Sequence, residues 1–417
     1  MDGSIGRTAA KQAKAPNWVA VIAFGFCALV ALLDGADSQS LAIAAPLIAK
    51  DLHISAGGLG LVFSTGVLGG ALGAMISGTL ADRFGAKRML VVCTIWFGCW
   101  QLATAYVDAY WPFVIIRFLA GLGLGGAAPC FLGLAAGHIP EARRARLLAL
   151  LWAFFPVGGF FGGLANGWII SNLTWRSVFT IGGVIPLVVA LALALIVREA
   201  PKPAPVVPAG TDAAPRVGVG SLLSPALRTK TLLTWCVFFG AFGALAAAVV
   251  WTPSLLVRVG EPAAHGAQVL SWHAIGALIS MAAAGVLLER FGPRLLAIGL
   301  VGGALAIAVM GFNLHDYGAV ITCMVLVGVF LGVAGSGAIA LAGTLFPGQL
   351  RGTGLGWSMG VARLGQMLIP MAMGVGFEHA TPWAVLLGCA ALPALAALAA
   401  VALARLHPRA QPLAAVS

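Results

Sequence analysis

Gly78-Thr79-Leu80-Ala81-Asp82-Arg83-Phe84-Gly85-Ala86-Lys87 recurs 207 residues later as Gly285-Val286-Leu287-Leu288-Glu289-Arg290-Phe291-Gly292-Pro293-Arg294. At the same offset Gly121 and Gly125 meet Gly328 and Gly332, Pro140 and Arg144 meet Pro347 and Arg351, and Gly158 meets Gly365. A register held over separate motifs means two copies of one unit. Each copy of the opening stretch reads as a tight turn between two helices. Glycine permits the turn, and the acid is placed to cap a helix N-terminus or to pair with a base on the other half.

The sequence around these turns is apolar. Of 417 residues, 60% are hydrophobic and 9% charged, and the mean hydropathy is +1.00. A soluble domain carries about 25% charged residues, so a cytosolic enzyme is excluded. Runs of about 20 apolar residues cross a bilayer as helices. Twelve are read here: 18–42, 58–80, 89–107, 112–136, 147–171, 176–197, 232–257, 267–289, 294–314, 317–341, 352–376 and 382–404. They do not alternate as the strands of a β-barrel would. The expected fold is an all-α membrane protein of twelve transmembrane helices in two pseudo-symmetric six-helix bundles.

The expected organisation is a tail (1–17), a first bundle (18–197), a linker (198–231), a second bundle (232–404) and a tail (405–417). The linker is Pro-rich at first and is expected to form a short interfacial helix from Ser221 to Lys230. Asp34 and Asp37 interrupt the first apolar run, which is therefore read as a span and not as a cleaved leader.

Net charge is +11, yet the bases form no patch for nucleic acid. Of the 24 Lys and Arg, Lys50, Arg176 and Arg258 fall on one side of the spans, Arg117 and Arg363 fall inside them, and all the others lie on the opposite side. The positive-inside rule then makes both termini cytoplasmic; the expected membrane is a bacterial inner membrane. The seven cysteines show no zinc or disulfide spacing, and no metal or cofactor is called for.

Repeats of this kind are the usual build of secondary transporters, with the substrate held between the halves. Four charges stand inside the spans: Asp34, Asp37, Arg117 and Arg363. Each costs about 2.5–3.5 kcal/mol at a helix centre, and two acids with two bases can neutralise one another. None has a counterpart in the other half, which sets them apart from the repeated scaffold; a static ion-pair staple is the alternative reading. A carboxylate taken out of water favours its protonated form, more so beside a second one, so Asp34 and Asp37 are the candidate proton carriers. Arg presents a planar fork to a carboxylate. Arg363 is the candidate substrate anchor, and Arg117, near the outer end of its span, is a second anchor or a partner of the aspartates, partly snorkelling to the interface.

Trp152, Phe155, Trp251, Trp272 and Trp357 are candidate walls for a flat ring. Gln39, Asn166 and His273 are candidate partners for a hydroxyl group, and Trp18, Trp111, Trp175 and Trp383 are candidate interfacial anchors. Gly78, Asp82, Arg83, Gly85, Glu141, Arg144, Glu289, Arg290 and Arg351 are the candidate cytoplasmic gate. Metalloprotease and phosphate-binding motifs are absent: there is no His-Glu-x-x-His and no Gly-x-x-x-x-Gly-Lys-Ser/Thr.

Gly78 to Arg88 resembles the loop-2/3 motif of the major facilitator superfamily, with Ala86 where that motif usually has a base. Asp34 to Gln39, Arg117 to Gly126, and Arg351 to Gly365 resemble the aromatic acid:proton symporters of that superfamily, among them carriers of 3-(3-hydroxyphenyl)propionate and hydroxybenzoate. The likeness runs along nearly the whole chain. It implies a monomeric carrier importing an aromatic acid with protons. A drug or organic-anion/proton antiporter of the same fold is the alternative; such exporters carry a Gly-Pro pair in span five, where this chain has Phe155-Pro156.

Overall fold

The computed structural model describes residues 17–139, 141–197, 199, 219–346 and 350–406. Among them the chain forms twelve α-helices: α1 (Asn17–Asp51), α2 (Ala56–Phe84), α3 (Ala86–Thr104), α4 (Tyr110–His138), α5 (Glu141–Asn172), α6 (Trp175–Ile196), α7 (Arg228–Arg258), α8 (Ala263–Phe291), α9 (Arg294–Phe312), α10 (Tyr317–Leu345), α11 (Arg351–His379) and α12 (Pro382–Leu406). Most of both expected tails, and the linker up to residue 218 apart from Glu199, lie outside the described residues. The linker's second half differs from expectation. A short 3-10 turn, Val219–Leu223, is tied to α7 by the Thr231 hydroxyl donating to the Leu222 carbonyl (2.8 Å), and helix resumes at Arg228.

Ten of the twelve helices are long and apolar enough to cross a membrane. The other two, α3 and α11, are made more polar by Lys87, Arg88 and Gln101 in one and by Arg363, Gln366 and several glycines in the other. Prolines stand inside seven helices, at Pro46, Pro129, Pro156, Pro186, Pro253, Pro370 and Pro393. Packed neighbours re-satisfy the freed backbone groups of membrane helices.

The two halves share one packing plan. In the first, α2 packs on α4, α1 on α5, and α3 on both α4 and α6; in the second, α8 packs on α10, α7 on α11, and α9 on both α10 and α12. The 207-residue register holds atom by atom. A Cβ at Gly69 would overlap the Phe118 carbonyl, and one at Gly276 the Val325 carbonyl. Likewise Gly121 abuts Gly66 as Gly328 abuts His273, and Gly158 abuts Leu32 as Gly365 abuts Phe239. The repeated turns need φ of +100° at Gly85 and +60° at Gly292, values that favour glycine.

The halves meet through α2 with α11, α5 with α8, and α1 with α7. The first two pairs exchange under the repeat. Their contacts concentrate toward the end of the bundle away from the repeated turns. There Gly57 donates its N–H to the Glu378 carboxylate (2.7 Å) and the Ser64 hydroxyl donates to the Met367 carbonyl (2.6 Å). Trp251, 1% exposed, donates its indole N–H to the Pro370 carbonyl (2.9 Å); its ring lies edge-on to Phe63 of the other half (5.8 Å) and 5.1 Å from Phe377. One apolar core crosses between the halves here, while a second, around Phe131, Leu134 and Leu193, stays inside the first half. At the other end, Gly352, Gly356 and Gly360 of α11 face open space.

The α1–α5 crossing leaves no room for a side chain at position 158. Gly158→Leu is expected to force the helices apart, costing about 3 kcal/mol or more. Gly25→Leu, at a position with nothing within 4 Å, is the control. Thermal unfolding in detergent should show a markedly lower Tm for the first variant and little change for the second.

Candidate functional site

Helix α1 runs without a break through Asp34 and Asp37. Three residues apart, they share a face, and they are 8% and 6% exposed. Gly35 between them lies against the Phe155 carbonyl of α5, so the tight helix crossing positions both acids. Asp37 accepts a hydrogen bond from the Gln101 side-chain amide of α3. The carbonyl oxygen of that amide accepts from Arg117 Nη1 of α4 at 2.9 Å. The Arg117 guanidinium also sits over the Phe179 ring of α6 (5.9 Å), and its Nε has no partner among the described residues. At 7% exposed, Arg117 does not snorkel; an amide and a ring inside the first half hold it instead.

Asp34 lines a small cavity with Val30, Leu33, Thr94, Phe97, Leu124, Ala127 and Pro186, with room for about one water molecule. It is within Coulombic range of Asp37 and of Arg363, which comes from the other half. Arg363 stands near the middle of α11 on an exposed position, where its Nη1 donates to Gln366 (3.1 Å) one turn on, its one hydrogen-bond partner among the described residues. Among the described residues, neither Arg117 nor Arg363 closes an ion pair with an aspartate. The asymmetry seen in the sequence is exact at these sites: 207 residues away Asp34 becomes Ala241, Asp37 becomes Ala244, Arg117 becomes Met324 and Arg363 becomes Pro156.

Trp152 stacks on Phe155 (5.9 Å, 9°) and lies 5.9 Å from Phe131 of α4, an aromatic step beside the aspartates. Gln39 is buried against Gly159 of α5 and Ala274 of α8, and its side-chain oxygen has no partner among the described residues. Other expected residues take other places. His273 bonds the Met324 carbonyl of α10 through Nδ1 (3.2 Å). Asn166 donates to Ser40 (3.0 Å), joining α5 to α1. Trp357 lies 6.2 Å from Trp235 of α7 and Trp272 is exposed, so neither joins the acids' cluster. Trp251 is sealed in the closed end, away from any open space. Trp18, Trp111 and Trp383 are exposed, but Trp175 is buried and donates to Asp51 (3.1 Å), so it is a packing residue and not an interfacial anchor.

At the repeated turns Asp82, Arg83, Arg144, Glu289, Arg290 and Arg351 are exposed, and Gly78 faces open space. Arg83 lies over Phe84 (5.3 Å) as Arg290 lies over Phe291 (5.7 Å). The side chain of Glu141 lies outside the described residues. Helix α3 is capped by Glu199, which accepts the Lys87 N–H (3.0 Å).

Sequence reasoning took Gln39 and Asn166 among the span amides but passed over Gln101, a 0% exposed amide in an apolar run. Glu378 was missed as well. The signal for both was a polar side chain in or beside a span.

Two contact pairs exchanged between duplicated bundles, with a buried acid pair and two guanidinium groups present in one copy only, are the build of a membrane transporter. The Major Facilitator Superfamily model matches residues 27–295 and 262–416. Over 354 residues the chain is 30% identical to the 3-(3-hydroxy-phenyl)propionate transporter of Escherichia coli, covering 85% of this chain and 86% of the relative. It is also 30% identical, over 412 residues and 90% of each chain, to the 4-hydroxybenzoate transporter PcaK of Pseudomonas aeruginosa. Among solved structures, a bacterial homologue of the human lysosomal transporter Spinster, inward-facing and unoccupied, aligns with a TM-score of 0.78 at 18% identity, over 95% of this chain and 100% of that one. The chain therefore belongs to the major facilitator superfamily, in the branch whose curated members are aromatic acid transporters. That family comprises transporters, not enzymes.

Proposed function

We propose that the chain is a monomeric, proton-coupled importer of an aromatic carboxylate working by alternating access. The observation that carries this reading is the buried acid pair of the first half within Coulombic range of a guanidinium from the second. Among the described residues Arg363 donates to Gln366 alone, which leaves most of its donors for an incoming carboxylate. Asp34 and Asp37 carry the proton, with Arg117 behind them. Trp152 and Phe155 offer the ring a flat wall, and Gln39 an acceptor for a hydroxyl group. The repeated turns, with Glu141 and Arg351, form the gate of the basic end.

Topology follows from the distribution of Lys and Arg. Both termini are cytoplasmic in a bacterial inner membrane, so the closed end faces outward. The bundles are 18–197 and 232–404, joined by the 198–231 linker. Moving a monoanion inward against about 100 mV, negative inside, costs about 2.3 kcal/mol, and one proton removes that term. Reconstituted vesicles acidified outside should accumulate labelled benzoate, hydroxybenzoate or phenylpropionate. An exporter would instead lose the preloaded acid, and that outcome overturns the reading.

Glu378 supports the alternating cycle. It belongs to the second half and caps α2 of the first. Its carboxyl is held below the usual carboxylate range by the Ser55 hydroxyl and the Gly57 N–H, so the ionised form stabilises closure. That contribution is present above the ordinary carboxylate range and is lost as pH falls through the lowered value. Ser64→Cys places a thiol between the halves. In a background without the other cysteines, adding Glu378→Ala should make that thiol react several-fold faster with an external maleimide. An unchanged rate would remove Glu378 from the gate.

A further inference from the structure

Gln101 stands between the charges of Asp37 and Arg117. A guanidinium only donates and a carboxylate only accepts, so the amide has one possible orientation, with its oxygen toward Arg117 and its NH₂ toward Asp37. The amide is 0% exposed and comes from α3, a helix that carries none of the four intramembrane charges. Position 101 plus 207 is Ala308, so this amide is another device present in one half only. In a water-poor interior, direct contact between a guanidinium and a carboxylate is strong, and removing one partner is costly. An aspartate locked in such a pair keeps its charge and carries no proton. The titratable and charged groups facing Asp37 are Asp34 on its own helix, Arg117 from α4 and, through Asp34, Arg363 from α11.

We propose that Gln101 is a positioning residue of the proton site: its amide keeps Asp37 and Arg117 linked but apart, so that Asp37 can exchange a proton while Arg117 stays anchored. The inference rests on the reading of Asp37 as a proton carrier. It assigns Gln101 no contact with substrate.

The test uses the full chain in proteoliposomes with labelled 4-hydroxybenzoate, measuring counterflow and accumulation driven by a pH gradient. Counterflow exchanges substrate without net proton movement; accumulation requires the proton. Gln101→Leu removes both hydrogen bonds of the bridge and leaves Asp37 and Arg117 with no amide between them. It is expected to lower accumulation at least tenfold and counterflow by no more than about threefold, and to reduce the protons taken up per substrate as read by a pH-sensitive dye. Gln101→Glu keeps the shape and the acceptor toward Arg117 but replaces the donor toward Asp37 with a second acidic oxygen; it guards against a misfolded Leu variant, and is expected to accumulate substrate with a displaced pH profile. Equal losses of counterflow and accumulation in both variants, with an unchanged proton count, would reduce Gln101 to packing and overturn the proposal; so would no change in either. If the wild-type chain accumulates substrate without taking up protons, the proton-site reading fails first and the role of Gln101 falls with it.

Discussion

Asp34→Asn is expected to abolish accumulation driven by an acidic exterior. For one proton per monoanion, each pH unit supplies about 1.4 kcal/mol, about a tenfold concentration ratio. The variant's ratio should fall to about one. The substitution preserves shape and removes only the ionisable oxygen, and Asp34 is not tied into a network whose loss would unfold the first half. It lines a cavity of about one water and is within Coulombic range of Arg363 across the halves. A neutral amide there resembles the protonated acid permanently, so the carrier can close and reopen but cannot harvest the gradient. Vesicle uptake at two external pH values reads this directly. Full proton-driven accumulation by the variant would take Asp34 out of the coupling step.

Arg363→Leu should weaken binding of aromatic carboxylates by about 100-fold to 1000-fold. The fork's two charge-assisted hydrogen bonds to the carboxylate are worth about 1.5–2 kcal/mol each, and every 1.4 kcal/mol is about tenfold. Folding should survive, because Arg363 is exposed and its one hydrogen bond, to Gln366, lies on its own helix. Arg117 offers no such clean test: its removal would leave Gln101 and Asp37 unsatisfied in the core. Arg363→Lys keeps the charge but not the fork, and an intermediate loss of about tenfold separates geometry from charge. Titration calorimetry with 4-hydroxybenzoate measures all three proteins. An affinity for the Leu variant within threefold of wild type would move the carboxylate anchor elsewhere.

Much of the architecture was legible because the bilayer imposes it. An apolar run of about 20 residues has few options other than a helix, and the 207-residue register named the helix pairs that pack alike. The site was only partly legible. Charges inside spans are rare enough to stand out, so Asp34, Asp37, Arg117 and Arg363 were visible. Their depth was not: Arg117 was expected near the interface and lies buried under Gln101 and Phe179. Trp175 and Trp251 show the same limit, since a tryptophan near a span end or centre reads identically whether it faces lipid, a closed gate or its own helix bundle.

From the sequence alone came the helical class, the duplication, the clustering of bases at one end, and the confinement of four charges to single copies. These follow from one-dimensional facts: run length, period and residue type. Only the tertiary structure decided that Gln101 links Asp37 to Arg117, that Glu378 caps α2 from the opposite half, and that one end is closed while α11 faces open space at the other. Those contacts join residues up to 321 positions apart. They depend on helix rotation and depth, which many sequences with the same apolar pattern would satisfy differently.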